Sequence, residues 1–563
     1  MKKTILYFCF CISLFAKGQT LQWGKAFGSA SDDRASSIAV DENNNVVVAG
    51  FFSDTIHFDS FQSNQDRISK GNFDVFVAKY DSTGQLLWTI SIGGIDGDNV
   101  KDLKIDKNNN IYLTGSFSPS SLMDTVIFSS TDTSLMFITN TSAGTEGFIL
   151  KLDSSGNVVF LNIISGTTGR DLFVDESSNV YWAGMFGGNV DFDPSAGQYI
   201  PVYYGDGDAF IASYDSLGNF RWVKTMGQYN DDDLFYSVQV NKAGYIYAAG
   251  HFIHNSDLDP DSGSIILPCN WDEMIIAKYN NNGGFIWAKQ FCGFGQAMDL
   301  SIMIDSTSNI ITIGRIDYPV DFDPSGNSFI LYPQSQFDLF VAKYDSSGNF
   351  ISAVLPTGAS GVDIENSLFV ERSGDFILTG IAGHTDIDLT QDSIIILSTS
   401  GHNNFFISQY NANNNLTSWL VTGSASGSVR PTCVVKDNSG NYYGAGYFGN
   451  YFCLTPNCTN AEYYSNGSLD CFVAKYNTLP FTVGVKEIYP SLFSLFPNPA
   501  TNTFTLKNIS SSEIILLEIA DVHGEIVYKE KLFGKNECVI NTNLEKGIYF
   551  VRVNDVVRKL IVE

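Results

Sequence analysis

Two sequence anchors return at one spacing along most of the chain, and this recurrence limits the fold more than any single motif. The first anchor is residues 73–91, Phe-Asp-Val-Phe-Val-Ala-Lys-Tyr-Asp-Ser-Thr-Gly-Gln-Leu-Leu-Trp-Thr-Ile-Ser. Val75, Val77 and Lys79 alternate with Phe76, Ala78 and Tyr80, the period of a strand. Asp81-Ser82-Thr83-Gly84 reads as a tight turn, because Asp can bond the backbone ahead of it and Gly accepts a positive φ. Leu86, Leu87 and Trp88 begin a return strand. The Tyr80 position comes back as Leu152, Tyr214, Tyr279, Tyr344, Tyr410 and Tyr476, at steps of 62 to 72 residues. The Trp88 position reads as Phe160, Trp222, Trp287, Ile351 and Trp419.

The second anchor is a hairpin ahead of the first. Ile38–Asp41 and Val46–Gly50 are its arms, and Gly50 returns as Gly115, Gly184, Gly250, Gly314, Gly380 and Gly446. Each unit therefore holds two hairpins, or four strands, which is the content of one propeller blade. A linear solenoid would need atypical capping units. The segment Leu21-Gln22-Trp23 matches Leu87-Trp88 but has no hairpin before it, and the seventh unit stops at Tyr476 without a Trp strand of its own. The orphan strand fits the vacancy and would remove an exposed edge. The expected fold is all-β: a seven-bladed β-propeller closed by an N-terminal strand, followed by a small C-terminal β-sandwich.

The expected domains follow from where the repeats start and stop. Residues 1–18 read as a secretory signal, with Lys2-Lys3, an apolar run over 4–15 and Ala16-Lys17-Gly18 as the cleavage site. That run is too short to span a bilayer well, and nothing else in the chain approaches transmembrane length. Residues 19–482 carry the repeats, with a Ser/Thr-rich insertion over 116–142 in the second unit. Residues 483–491 are a linker. Residues 492–563 are short alternating strands broken by Gly and Asn, a β-sandwich pattern.

The formal charge is −27, nearly all of it on residues 19–484. An acidic surface argues against nucleic acid or an anionic membrane as a partner. Nine cysteines are present, two of them inside the signal. The remaining odd number leaves at least one unpaired within the chain. Cys453 and Cys458 could close a small loop in an oxidising compartment, or stand as buried thiols.

In the tail, Pro497-Asn498-Pro499, Asp521-Val522-x-Gly524, Leu544-x-x-Gly547-x-Tyr549 and the basic-aliphatic end at Lys559 follow one another in a fixed order. In order and spacing they resemble the type A sorting domain of the Bacteroidetes type IX secretion system. The resemblance implies Sec export, recognition of the tail by the type IX machinery at the outer membrane, frequent removal of the tail, and a cargo attached to the surface or released. The upstream units are similar to the bacterial β-propeller repeats common in such cargo, which implies a shape and no activity.

Three chemistries have candidate residues. Asp191 and Asp193, Asp257 and Asp259, Asp321 and Asp323, and Asp386 and Asp388 flank Phe192, Leu258, Phe322 and Ile387 at similar distances after the repeat glycine. In an extended segment both carboxylates of a pair point one way, which suits Ca²⁺. Alternatively the apolar residue plugs the core while the aspartates start a turn. No other cofactor is expected. The Ala-Lys-Tyr-Asp-x-x-Gly-x-x-x-Trp pattern looks like the tryptophan-docking repeat of quinoprotein dehydrogenases, but in those proteins the Trp locks blades and does not hold the quinone. For hydrolysis, the six histidines are scattered and no His-Glu-x-x-His or Gly-x-Ser-x-Gly element occurs. The expectation is a non-enzymatic secreted or surface binding protein for a glycan or protein. Trp182, Trp271, Tyr203-Tyr204 and Tyr463-Tyr464 are candidate contacts, and the rivals are an extracellular polysaccharide-acting hydrolase or lyase and, behind it, a quinoprotein-like dehydrogenase.

Overall fold

The computed structural model describes residues 21–562 apart from 60–64, 119–124, 130–133, 139–143, 228–230, 254–256, 261–271, 292–296, 334–337, 357–367, 383–384, 388, 390–395, 398–403, 423–427, 456–460, 478–493, 497–502, 508–513, 522–525, 534–536, 543, 545 and 554–555. The proposed signal therefore lies outside the described residues. The chain divides into two compact units, Met1–Thr482 and Val483–Glu563.

Among the described residues the first unit holds seven sheets built on the same four-strand plan, plus small accessory hairpins. The first runs Asp33–Val40, Val46–Phe52, Asp74–Tyr80, Leu86–Gly93, each strand antiparallel to the next. Sheets two to six repeat that order from Asn99–Ile105, Thr167–Val174, Leu234–Val240, Ala297–Ile304 and Leu368–Val370. The seventh is assembled from both ends of the unit. Ser428–Lys436, Tyr442–Gly449 and Asp470–Tyr476 supply three strands, and Leu21–Phe27 takes the outer place. Its register sets Leu21 opposite Tyr476 and Trp23 opposite Lys475. The insertion in the second unit has a definite use: Thr125–Ser129 and Ser134–Ile138 form a hairpin that extends the outer edge of sheet one through Leu86–Gly93.

The repeated residues explain how neighbouring sheets join. Tyr80, Leu152, Tyr214, Tyr279, Tyr344, Tyr410 and Tyr476 end the third strands and are all fully buried. The preceding lysine reaches the next sheet. Lys79 Nζ donates to Ser154 O (3.1 Å), Lys151 to Ser216 O (2.8 Å), Lys278 to Ser346 O (2.9 Å) and Lys343 to Ala412 O (2.7 Å). Lys475 of the seventh sheet donates to Ser82 O of the first (3.0 Å), so the last-to-first contact repeats the consecutive ones. Two of the outer-strand tryptophans do the same: Trp23 Nε1 donates to Ser82 O (3.1 Å) and Trp88 Nε1 to Ser154 O (3.3 Å). Trp23, Trp88, Trp222 and Trp287 each lie on the turn glycine of the next sheet. Gly84 sits at φ +84°, and a Cβ there would come within 2.7 Å of the Trp23 ring.

Register corrects the sequence reading in two sheets. Trp88 pairs with Lys79, but Lys343 pairs with Ser352 and Gln409 with Ser418. Ile351 and Trp419 are one residue away from the docking position and therefore point to the opposite face, since strand side chains alternate.

The second unit has two antiparallel sheets sharing one core. Ser494–Phe496, Thr503–Lys507 and Glu537–Asn541 form one, and Ile526–Phe533, Ile514–Ala520, Gly547–Val553 and Val556–Val562 the other. Phe504, Leu506, Leu517, Ile519, Ile540 and Val551 fill the space between them.

Candidate functional site: an axial chamber

Among the described residues, the first strand of six of the seven sheets carries a register shift at the same place. The pairing skips Ser36 in sheet one, Lys101 in two, Arg170 in three, Tyr236 in four and Thr432 in seven, with a wider irregularity between Met298 and Ser301 in five. A bulge re-aims the residue that follows it. Those residues are Ser37, Asp102, Asp171, Ser237, Ser301 and Cys433, and all of them line one cavity of about 250 Å³. Each stands thirteen residues before its repeat glycine. Ser367 holds that place in sheet six but lies outside the described residues. Two residues further on, Ala39, Lys104, Gln239, Met303, Phe369 and Val435 line the same cavity, while Phe173 lines a second one of about 650 Å³. The second cavity is bounded by the first-hairpin turns of sheets three to five and by Arg372, and it shares Gln239 and Met303 with the first. The two follow one another along the line of the first strands. Those strands pack in sequence, each on the next, with Ser428–Lys436 on Asp33–Val40.

The chamber wall is chemically two-sided. On sheets one to four a polar network crosses from strand to strand. Ser37 Oγ donates to Asp102 Oδ1 (3.3 Å), and Lys104 Nζ pairs with Asp102 Oδ2 and, at 3.5 Å, with Asp171 Oδ1. Asp171 Oδ2 accepts from Ser237 Oγ and from Val238 N, both at 2.8 Å. Burial and the neighbouring Asp102 charge push the Asp171 carboxyl up to about 7, against the pull of Lys104. Burial works against the Lys104 charge, but Asp102 and Asp171 overcome it and hold the ammonium above its ordinary value. The opposite wall is Met303, Leu368, Phe369, Val434 and Val435, with the Cys433 thiol pushed up to about 12 by burial.

The acidic pairs sit elsewhere, in the links between hairpins. Phe192, Leu258, Phe322 and Ile387 are buried, and the backbone carbonyl of each accepts the hydroxyl of the repeat Tyr: Tyr214 (2.9 Å), Tyr279 (3.5 Å), Tyr344 (3.1 Å) and Tyr410 (2.9 Å). Leu454 does the same for Tyr476 (3.0 Å) with no acidic pair around it. Asp191 Oδ1 accepts the N–H of Asp193 and of Tyr199, and Asp321 Oδ1 that of Asp323 and of Phe329. Asp257 Oδ1 accepts from Asp259 N, while Asp193 and Asp323 turn to Ser195 N and Ser325 N. Asp386 lies in a short strand, and Asp388 is outside the described residues. Among the described residues no group of three or more His, Cys, Asp or Glu is arranged to hold a metal ion.

Of the aromatic contacts suggested by the sequence, Trp182 is core: it is fully buried and its Nε1 donates to Thr114 Oγ1 (2.6 Å). Tyr463 turns inward to Gly24 O (2.9 Å), and Tyr203 packs on Phe186. Trp271 and Cys458 lie outside the described residues, while Cys453 is buried. The exposed members form a pattern of their own. Ile68, Val202, Tyr332 and Tyr464 each stand twelve residues before the buried Tyr, and are 62%, 63%, 64% and 69% exposed. One position in four different sheets thus presents an apolar side chain to solvent.

In the tail, Tyr549 belongs to the core, Gly547 opens the strand Gly547–Val553 opposite Val562, and Lys559 pairs in register with Phe550. Asp521 follows the strand Ile514–Ala520, whereas Pro497, Asn498, Pro499 and Gly524 are outside the described residues. Residues 494–563 match the model of the secretion system C-terminal sorting domain. The tail is a type IX sorting domain. With it the protein is a secreted cell-surface protein, and among the described residues no helix is long and apolar enough to cross a membrane. For the repeats, an uncharacterized WD repeat-containing protein, L264 of Acanthamoeba polyphaga mimivirus, is 23% identical over 450 residues, covering 64% of this chain and 31% of the relative. The chain thus spans less than a third of that relative's length. Among solved structures, the extracellular domain of a hybrid two-component system from B. thetaiotaomicron aligns over 96% of this chain and 99% of its own, at 8% identity and a TM-score of 0.16, too low to bear on the fold.

Proposed function

We propose that the seven sheets are the blades of a closed propeller, latched by Leu21–Phe27, and that this ring is a non-enzymatic binding module displayed on the cell surface by the type IX machinery. The closed ring is supported by the Lys475 and Trp23 bonds to Ser82, which join the last sheet to the first as the others are joined. Rigid rings hold their links at fixed positions, so a ligand meets a preorganised surface. The observation that carries the binding reading is the apolar side chain exposed at one repeat position, Ile68, Val202, Tyr332 and Tyr464. Isolated exposed hydrophobics need no explanation, but recurrence at one site in sheets one, three, five and seven suits an extended ligand with repeating units. The formal charge of −27 disfavours a polyanion, so the ligand is a neutral glycan, with a protein as the alternative outcome.

The enzyme reading draws on the meeting of Asp102 and Asp171 in the chamber. A glycosidase pair must face a bond held between the two groups, yet here Lys104 sits between them and both accept bonds from Ser or backbone donors. The acidic pairs are assigned to turn formation, because their oxygens are engaged by the backbone of their own links.

The test is a glycan-array screen of the secreted chain beside a Tyr332→Ala/Tyr464→Ala double variant. Binding of neutral glycans that falls at least tenfold in the variant is expected. Unchanged binding in the variant, or binding of acidic glycans only, overturns the assignment. Calcium added to the secreted chain is expected to leave Tm unchanged, and a rise of many degrees would return the acidic pairs to metal binding.

A further inference from the structure

The axial chamber is separate from the exposed rim, and its chemistry points to a second ligand. Among the described residues, the charged groups that face it are Asp102, Asp171 and Lys104, together with Lys436, which is bound to Glu371 (2.7 Å). The Cys433 thiol is neutral. Two carboxylates therefore share one ammonium in a buried space, leaving one negative charge without a full counterion. The acceptor capacity is also uneven. Asp102 takes bonds from Ser37, Lys104 and Leu172 N (3.4 Å), and Asp171 Oδ2 takes two at 2.8 Å. Asp171 Oδ1 has Lys104 at 3.5 Å. A carboxylate oxygen accepts two bonds, and a buried one that is underused costs free energy until a donor arrives. Across the cavity stand Met303, Phe369 and Val435, which offer apolar contact, with Ser301 and Lys436 of the same strands also in the lining.

We propose that this chamber binds a small alkylammonium ion, its N–H donors on Asp171 Oδ1 and its hydrocarbon body against Met303, Phe369 and Val435. The ligand reaches it from the larger cavity at the turn end, through the shared Gln239 and Met303. The cation completes the neutralisation that Lys104 begins, and the alkyl chain covers the apolar wall. A carboxylate would meet Asp102 and Asp171 with like charge, and an alcohol would leave the excess charge in place. A proton on Asp171 does the same neutralising work, so protonation and ligand binding compete.

The test uses the secreted full chain with n-butylammonium, n-butanol and n-butyrate as probes, each titrated into a thermal melt at pH 8 and at pH 5.5. Butylammonium at pH 8 is expected to give a rise in Tm of about 2–3 °C at roughly a hundred times Kd, as for a ligand that binds only the folded state. That rise shrinks at pH 5.5, and the other two probes give none. Asp171→Asn abolishes it, and so does Val435→Phe, which fills the chamber from the apolar side without touching the ionic network. An equal response to butanol, a response that grows at pH 5.5, or no response to butylammonium in the unaltered chain overturns the proposal, whether or not the variants fold.

Discussion

The turn end of each sheet and its axial strand obey opposite rules. At the turn end the sheets are near copies: a buried Tyr, a Lys bonded to the next turn, and a turn glycine under the preceding sheet's aromatic ring. At the axis, the equivalent position is Ser37, Asp102, Asp171, Ser237, Ser301 and Cys433, so it changes chemistry between Ser, Asp and Cys around the sheets. Uniformity belongs to the joints, which every sheet needs alike. Variation belongs to the one place where side chains from all sheets meet in a shared space and are free to specialise.

That contrast can be broken by substituting one repeat position in different sheets. At the axis the costs should diverge widely. Asp102→Ala removes the principal partner of half-buried Lys104 and is expected to cost about 2–3 kcal/mol. Ser301→Ala, at the same place in another sheet, should stay within about 0.5 kcal/mol. Urea unfolding of both variants decides it, and equal losses would show that the axial ring is only structural.

A pH series addresses the same network. Asp171 in the folded chain titrates at about 7, above the ordinary carboxylate value. A raised folded value means that this group's stabilising contribution is complete below the unfolded pKa of about 3.9 and is lost as pH rises through about 7. Relative to the unaltered chain, Asp171→Asn should therefore gain about 2 kcal/mol of stability between pH 5 and pH 8. A flat difference across that range would mean that the carboxyl is not strained by its surroundings.

The joints give the smallest and most graded effect. Gly84 and Gly440 share φ near +84°, but a Cβ at Gly84 meets the Trp23 ring whereas at Gly440 nothing lies within 4 Å. Gly440→Ala should cost about 1 kcal/mol of backbone strain, and Gly84→Ala measurably more, because the closing tryptophan must move. Equal melting temperatures for the two variants would argue against a tight Trp23 contact.

Much of this was legible in the sequence because repetition turns weak local signals into strong ones. Tyr80 and its six counterparts, the repeat glycines and the unpaired Trp23 strand placed every sheet. The buried middle residue of each acidic pair followed from the same alternation. The register of Ile351 and Trp419 was read one residue off, since a turn without its usual glycine or an outer strand without a Trp gives no fixed point. The axial chamber was missed for another reason. Its residues sit beyond a bulge, where alternation breaks, and no motif marks them. A signal existed all the same, in the constant thirteen-residue offset to the repeat glycine. It is visible only once the copies are aligned with each other and read for where they differ. Of the four exposed apolar positions only Tyr464 was among the contacts suggested by the sequence, and only as one of a pair, because sequence cannot say which Tyr of two adjacent ones faces water.

The joining of the seventh sheet to the first supports everything else, and amide hydrogen exchange tests it directly. In the full chain, residues 21–27 and 470–476 should exchange together and slowly, as strands hydrogen-bonded to one another do. In a chain lacking residues 21–27, protection over 470–476 should fall while the third strand of sheet four, Asp272–Tyr279, keeps its own. Fast exchange over 21–27 in the full chain, with 470–476 still protected, would contradict the latch and the ring built on it.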